Sequence, residues 1–248
     1  MKISARFGLS LQLESFISSL AKFTGLLTQG GNVGDKSVEC AHLLLKIAKS
    51  EPNNLRNSWI NILKTISRLD YLLAISSGKK STEIFGGAPP NALDLHLAEV
   101  YSVNPSEIDY IFNISSSLDD QAIIYFVENL IEVSKEEIWS ESPRIFSLQA
   151  LINVADVNMG RIRLVWSRIW NNLKEHFSHV CLHPNYQVAL FSIDALKQLA
   201  NKFLQKEELA NFNFQKDFLY PFEVIMKKST VADVRSLVVT CILNLVLA

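Results

Sequence analysis

One stretch constrains the fold of this chain more than any other: residues 143–177, with the sequence PRIFSLQALINVADVNMGRIRLVWSRIWNNLKEHF. After the break at Asn158–Gly160, apolar residues recur at spacings of three, four and seven. They are Ile162, Val165, Trp166, Ile169, Trp170 and Leu173. Because this spacing is typical of a helix with one broad buried face, we predict two helices separated by the Asn-Met-Gly turn.

The remainder of the chain has the same helical character, with only 9 glycines and 7 prolines among 248 residues. Its mean hydropathy of +0.16 favours helices buried on two sides, as in stacked layers. Apolar offsets that start at Val188 recur from Val234, within the period of about 40–47 residues typical of HEAT and armadillo repeats. The repeated offsets include Ile193 in the first copy and Val239 in the second. We therefore predict an all-α, HEAT/armadillo-like helical solenoid.

Local signals predict where helices begin and end. Pro143 after Ser142 is typical of a helix start, and Ser134 with Glu137 three residues later predicts a capping box for a short helix near Trp139. Gly25 should end the first helix, two short helices are expected over 92–101 and 105–114, and Pro221 predicts a kink or an early stop. The Gly-, Ser-, Lys- and Pro-rich segment near residues 77–91 predicts a mobile loop within a single domain, 1–248.

Net charge limits the classes of possible partner, and the cysteines indicate the cellular compartment. The formal net charge is -1, so no global field attracts nucleic acid, and we predict no nucleic-acid partner. The three cysteines are far apart in apolar surroundings, which indicates reduced thiols of a cytoplasmic protein. The apolar run 237–248 is too short to cross a bilayer. Because the run has no polar tail, we expect the chain to be a fragment of a larger protein.

Motifs for catalysis or metal binding are weak. His176, His179, Cys181 and His183 lie within eight residues, but their spacing crosses a helix end and no second ligand pair lies at a familiar distance. Buried structural side chains are the favoured interpretation of this cluster over a zinc site. The sequence has no GxSxG, HExxH or P-loop motif. We therefore predict no catalytic residue, no cofactor and no metal.

Basic residues are the candidates for partner binding. The candidate set is Arg161, Arg163, Arg168, Lys197 and Lys202. Arg161 and Arg168 are seven residues apart and are predicted to share a helix face. The arginines have two interpretations. They pair internally with acidic residues of neighbouring helices, or they form a partner surface; the acidic candidates are Asp156, Asp194, Glu207 and Glu208. The lysines indicate either a solvated face or a face toward anionic lipid.

Four blocks carry a resemblance to a known family: residues 56–72 (RNSWINILKTISRLDYL), 143–170, 183–204 and 207–229. In this order they resemble the first homology region downstream of the catalytic Sec-seven domain in the large Golgi exchange factors for Arf GTPases, the brefeldin-A-inhibited subfamily. The segment 78–118 matches poorly, where relatives carry a variable linker. The glutamate-finger motif of the exchange domain, of the type Phe-Arg-Leu-Pro-Gly-Glu, does not occur in this sequence.

The resemblance implies a non-catalytic regulatory module of a guanine-nucleotide exchange factor. Such a region is expected to bind GTP-loaded Arf and to recruit the factor to trans-Golgi membrane, so the expected location is cytoplasmic and peripheral on that membrane. Other domains of the parent chain and an anionic Golgi lipid surface are further expected partners. The alternative is an intramolecular or homo-oligomeric scaffold that inhibits the exchange domain.

Overall fold

The structure, a computed structural model, describes residues 10–27, 33–78, 90–101, 104–204 and 212–247. Eleven α-helices and three short 3-10 helices form the regular structure of this described part. The α-helices are α1 (Ser10–Phe23), α2 (Asp35–Ser50), α3 (Trp59–Ser76), α4 (Ala92–Val100), α5 (Pro105–Asn113), α6 (Asp120–Ile138), α7 (Phe146–Asn158), α8 (Arg163–Val180), α9 (Tyr186–Leu204), α10 (Phe212–Lys228) and α11 (Ala232–Leu247). The all-α prediction is confirmed. Most of the predicted mobile loop, residues 79–89, lies outside the described residues.

Contacts divide the chain into two compact units, Met1–Val157 and Asn158–Ala248. In the first unit α3 is central and packs against α1, α2, α4, α5 and α6. Its Trp59 is fully buried and meets Phe126 of α6 edge-on, with ring centroids 4.7 Å apart. Large aromatic rings in this arrangement contribute beyond their buried area, so this contact anchors α6 on α3. The single regulatory domain expected over 1–248 stays a prediction.

In the second unit α8 packs against α9 and α10, and α11 packs against α9 and α10. Such layering of helix pairs agrees with the predicted helical solenoid, while the repeat type stays a prediction. The repeat frame itself is wrong at Val239, which is 44% exposed. The buried face of α11 instead runs through Val234, Val238 and Cys241. These residues follow the 3.6-residue period of a helix more closely than the predicted offsets do.

A tight turn at Gly25 ends α1, as the sequence predicts. Gly25 has φ +67, and a Cβ added there would lie 2.9 Å from the Val33 side chain, so the position requires glycine. The turn is held from outside as well, because the Tyr101 hydroxyl donates a hydrogen bond to the Thr24 carbonyl. Burial, and then the nearby Cys40, raise the pKa of Tyr101 to about 12. The neutral phenol therefore connects the end of α4 to the end of α1.

Helix α6 continues to Ile138, so the capping box predicted for a separate helix near Trp139 is wrong. Ser134 and Glu137 are both buried within α6. One Glu137 carboxylate oxygen accepts from the Ser67 hydroxyl of α3, and the other accepts from the Ser147 amide at 2.8 Å. Because Ser147 lies in the first turn of α7, this carboxylate caps the next helix and favours its positive end.

The predicted helix start at Pro143 is also wrong, since α7 begins at Phe146. The cause is Arg144, whose guanidinium Nη2 donates to the Ser67 carbonyl at 2.9 Å. Its Nη1 lies 4.0 Å from the Glu137 carboxylate, and its Nη2 lies 3.5 Å from the Asp70 carboxylate. These contacts hold residue 144 in an irregular segment and delay the helix by a few residues.

Two guanidinium groups lie against the ring of Tyr71. The guanidinium carbons of Arg68 and Arg144 lie 4.9 and 5.1 Å from its centroid. Arg68 also forms a salt bridge with Asp94 of α4, and the Tyr71 hydroxyl donates to the same carboxylate at 3.3 Å. Burial, and then Asp94, raise the pKa of Tyr71. This cluster fixes α4 on α3, and its Arg68 and Tyr71 belong to the first recognised sequence block, 56–72.

Neighbouring glutamates test the Glu137 contact. We expect Glu137→Gln to lower the free energy of unfolding by about 2 kcal/mol, because charge-assisted hydrogen bonds to a buried carboxylate are lost. Glu136→Gln is the matched control: Glu136 is 59% exposed in its pair with Lys64, so we expect less than about 1 kcal/mol. Urea unfolding and hydrogen exchange of the Ser147 amide measure both. Equal exchange of that amide in the two variants would contradict the capping role.

Tyr101 predicts a stability change at alkaline pH. Below pH 10 the phenol is neutral in both states, so its full contribution is present. Between about pH 10 and 12 only the unfolded phenol ionises, because burial raises the folded pKa to about 12, and stability falls as pH rises. We expect the urea midpoint to decline less steeply over this range in Tyr101→Phe than in the parent chain. Tyr110→Phe, at a 51% exposed position, is the control, and equal slopes for all three chains would refute the assignment.

Candidate partner-binding surface of the second unit

Helix α8 separates a buried apolar face from an exposed polar one. The predicted core positions Val165, Trp166, Ile169, Trp170 and Leu173 are all buried, as expected. The opposite face presents Leu164, Arg168, Glu175 and His179, at helical spacing. The helix ends at Val180, the hydrogen-bonded turn lies at Cys181 and Leu182, and the predicted turn segment His183–Asn185 forms a bend before α9.

Four aromatic rings form a closed stack beneath this surface. The Trp170 ring lies nearly parallel to Phe218 of α10, at 4.0 Å between centroids and 8° between planes. Phe218 stacks on Phe203 of α9 at 4.4 Å, Phe203 lies 6.0 Å from Trp166, and Trp166 lies 6.4 Å from Trp170. The stack joins α8, α9 and α10 through rings that are almost completely buried. Neither indole of α8 is therefore available as an exposed anchor for a partner.

The proline inside α10 creates a hydrogen-bond acceptor for α8. Helix α10 runs from Phe212 to Lys228, so of the two alternatives predicted at Pro221 the early stop is wrong, and the kink stays a prediction. Proline has no amide hydrogen, so in regular helical pairing the Asp217 carbonyl, four residues earlier, lacks its donor. The Trp170 indole Nε1 donates to this carbonyl at 3.2 Å. Lys174, one turn along α8, adds an ion pair to the Asp217 carboxylate at 3.5 Å.

The start of α8 exposes two apolar side chains, and for one of them, Ile162, the predicted burial is wrong. Ile162 is 65% exposed and Leu164 is 73% exposed, although Ile162 fits the buried spacing of the sequence. Ile162 is the N-cap residue and has extended backbone angles, φ −52 and ψ 144, so its side chain leaves the helical register. Its carbonyl accepts from the Val165 amide at 3.0 Å. The sequence signal is isoleucine at a position where a side-chain oxygen is usual.

The three candidate arginines surround these apolar residues along the chain. Arg161 precedes α8, and its Nε donates to the Asn158 side-chain oxygen at 2.6 Å. The prediction that Arg161 and Arg168 share a helix face is therefore wrong, because Arg161 is not helical. Arg163 is the first residue of the helix, and both Arg163 and Arg168 are exposed. Leu164 and Arg168 are four residues apart and lie on one face.

The two candidate lysines lie on α9 and do not share one face. Lys197 is half-buried and Lys202 is exposed, five residues later. Five residues correspond to a rotation of about 140° around the helix. Lys197 lies near Cys241 of α11: burial raises the pKa of that thiol, and Lys197 opposes the rise. Lys197 thus belongs to the side of α9 that faces α11.

The four side chains of the histidine and cysteine cluster do not all lie on the same side of the chain around the end of α8. His176, Cys181 and His183 are buried, whereas His179 is exposed. The His183 Nδ1 accepts from the Asn185 amide at 3.0 Å. Burial, and then the nearby Cys241, raise the pKa of Cys181. Across the described residues, no group of three or more His, Cys, Asp or Glu side chains is arranged to hold a metal ion.

Layered helices, with an exposed start of α8 that carries arginine and apolar side chains, define this chain as an all-α helical protein. Comparison with known proteins then gives its family. Residues 202–248 match the family described as Mon2/Sec7/BIG1-like, HDS. The chain is 38% identical over 281 residues to brefeldin A-inhibited guanine nucleotide-exchange protein 1 of Homo sapiens, and 34% identical over 297 residues to the protein of the same name in Arabidopsis thaliana. By sequence, the chain corresponds to a region of brefeldin A-inhibited guanine nucleotide-exchange proteins that lies downstream of their Sec-seven domain.

Both alignments cover 99% of this chain but only 15% of the human and 18% of the Arabidopsis protein. The chain therefore represents a small part of these relatives. Of the helices in the described part, none is both long and apolar enough to cross a bilayer.

A double-mutant cycle tests the contact between Trp170 and Asp217. Trp170→Phe should destabilise the chain, and Pro221→Ala should reduce that loss, because the amide introduced at position 221 can donate to the Asp217 carbonyl. We expect a coupling energy of about 1 kcal/mol from urea unfolding. Trp166→Phe is the matched control, since the Trp166 Nε1 has no hydrogen-bond partner among the described residues. Additive effects of Trp170→Phe and Pro221→Ala would contradict the proposed geometry.

Proposed function

We propose that the chain is a non-catalytic regulatory region of an Arf guanine-nucleotide exchange factor, and that it binds GTP-loaded Arf. The observation that supports this most is the alignment of 99% of the chain with brefeldin A-inhibited guanine nucleotide-exchange proteins. In this proposal the region acts in the cytoplasm and recruits the parent factor to the surface of trans-Golgi membrane. Catalysis is assigned to the exchange domain of the parent, because the glutamate-finger motif does not occur in this sequence.

The binding surface that we propose is the α8 patch, defined as Arg161, Ile162, Arg163, Leu164 and Arg168. Two of its members are apolar side chains at least 65% exposed, and such side chains gain when a partner removes them from water. Arginine is enriched at protein interfaces because its planar group makes several directed hydrogen bonds. The patch also has a rigid base, because α8 is stacked on α9 and α10 through four aromatic rings.

Lys197 and Lys202 have a secondary role in this proposal. The exposed Lys202 is suited to a weak attraction toward anionic Golgi lipid, which strengthens a contact made mainly through Arf. Lys197 is half-buried beside α11 and contributes less.

A second candidate is an intramolecular or homo-oligomeric scaffold that inhibits the exchange domain of the parent. The observation that favours it is an apolar strip on α11, where Val239 is 44% and Leu243 is 55% exposed. These residues are four apart and share a face, which suits packing against another helix. In this case the partner is another domain of the parent chain, or a second copy, in place of Arf.

Flotation with liposomes that carry lipidated Arf, loaded with GTP or with GDP, tests the first proposal. We expect binding with GTP only. The double substitutions Ile162→Ser/Leu164→Ser and Arg163→Glu/Arg168→Glu should each weaken binding by about tenfold or more. Matched controls at exposed positions outside the α8 patch are Val231→Ser and Lys216→Glu, which should leave binding unchanged. Circular dichroism of each variant confirms that the helices are retained.

The outcomes separate the candidates. Equal binding to both nucleotide states, or to bare liposomes, contradicts recognition of activated Arf. Absence of binding, together with inhibition of the parent's exchange domain that Val239→Ser/Leu243→Ser relieves, favours the scaffold.

A further inference from the structure

A groove in the first unit is independent of the α8 patch. A cavity of about 520 Å³ lies among the end of α1, the middle of α3 and the end of α6. A second cavity of about 470 Å³ shares Leu26, Leu27 and Arg68 with it, so the two adjoin. We refer to both together as the α1–α3–α6 groove. The turn at Gly25 forms part of its wall, because it buries Leu26 and leaves Leu27 37% exposed.

The charges along the groove are unequal. Four cationic side chains line the larger cavity: Lys22, Lys64, Arg68 and Arg144. Only two carboxylates line it, and both have cationic partners, since Glu136 pairs with Lys64 and Glu137 lies close to Arg144. By contrast, the Lys22 ammonium makes no ion pair or hydrogen bond with any residue that the structure describes. Among the described residues, the Arg68 guanidinium donates a hydrogen bond only through Nη2, to the Asp94 carboxylate.

Spare donors beside carboxylates that are already paired favour a ligand that supplies acceptors. The guanidinium of Arg68 is also fixed in place, since it lies against the Tyr71 ring and pairs with Asp94. A positioned guanidinium loses less conformational entropy when it binds a carboxylate than a free one does.

Apolar side chains occupy the rest of the lining. They are Ala21, Leu26, Leu27 and Val133 in the larger cavity, and Leu93 and Leu97 in the adjoining one. We propose that the α1–α3–α6 groove docks a short acidic peptide segment of a partner protein, in which a carboxylate meets Arg68 and Lys22 and a neighbouring leucine or phenylalanine packs on Leu27.

A phosphorylated lipid headgroup fits this lining less well than a peptide. A polyanion would lie near the Glu136, Glu137 and Asp94 carboxylates, and it would leave the apolar wall in water. A peptide in which acidic residues lie next to apolar ones complements both parts of the lining. The charges and the apolar surface of the groove therefore favour an acidic peptide over a phosphorylated lipid headgroup.

Fluorescence anisotropy with the full 248-residue chain tests this proposal. The probe is a fluorescein-labelled peptide, Gly-Ser-Asp-Glu-Leu-Phe-Asp-Glu-Leu-Ser-Gly. We expect saturable binding that Lys22→Glu and Leu27→Ser each weaken by about tenfold. Both positions are on the surface, and the Lys22 ammonium has no partner to lose within the described residues, so the fold should be retained. Lys46→Glu and Leu43→Ser, exposed on α2 outside the groove, are the matched controls and should bind normally.

Two further probes separate charge from apolar contact. The same peptide with Asn and Gln in place of its acids, and another with Ser in place of Leu and Phe, should both lose binding. Equal binding of the neutral peptide, equal weakening by the control variants, or no saturable binding at all would overturn the proposal. Binding of phosphatidylserine vesicles that Lys22→Glu abolishes, without peptide binding, would also overturn it in favour of a lipid site. Binding of Arf through the α8 patch should be unaffected by Lys22→Glu.

Discussion

The second unit depends on a backbone carbonyl that lacks its regular donor four residues later in the same helix. Pro221 removes the amide that would normally pair with the Asp217 carbonyl, and the Trp170 indole supplies a hydrogen instead. The same tryptophan stacks on Phe218, one residue after Asp217. A directed hydrogen bond and a ring stack therefore act on the same turn of α10. This combination fixes the rotation of α8, and the rotation decides which of its residues are exposed.

In the first unit, a buried carboxylate joins neighbouring helices in a comparable way. The Glu137 carboxylate joins α3, the end of α6 and the first turn of α7, with Arg144 nearby. A buried carboxylate is costly unless its oxygens are hydrogen-bonded, so these partners form an interdependent set. Arg144 lies in the short irregular connection between α6 and α7, and from there its guanidinium donates to the Ser67 carbonyl.

The sequence predicts the helices well and their ends poorly, for a physical reason. Apolar spacing places Val165 to Leu173 in the core correctly, and Gly25 marks a real helix end. Ser134 and Glu137 match a capping box. The Glu137 carboxylate instead accepts hydrogen bonds from Ser67 of α3 and Ser147 of α7, and both residues lie outside the motif. A sequence motif shows only which hydrogen bonds are available between residues close along the chain. A partner from another helix can compete for the same side chain, and the motif does not reveal that partner. The exposure of Ile162 is missed for the same reason, since periodicity does not reveal where the helix begins.

The position of a helix start determines whether an apolar residue belongs to the core or to a binding surface. Had α8 begun at Arg161, Ile162 would have continued the stripe of Val165 and Trp166. Because Asn158 instead accepts from the Arg161 side chain, the helix begins two residues later and Ile162 is exposed. The exposed isoleucine remains compatible with folding because Trp166 and Trp170 hold α8 without it. The aromatic stack therefore makes it possible for the start of α8 to expose the patch that we propose as the partner surface.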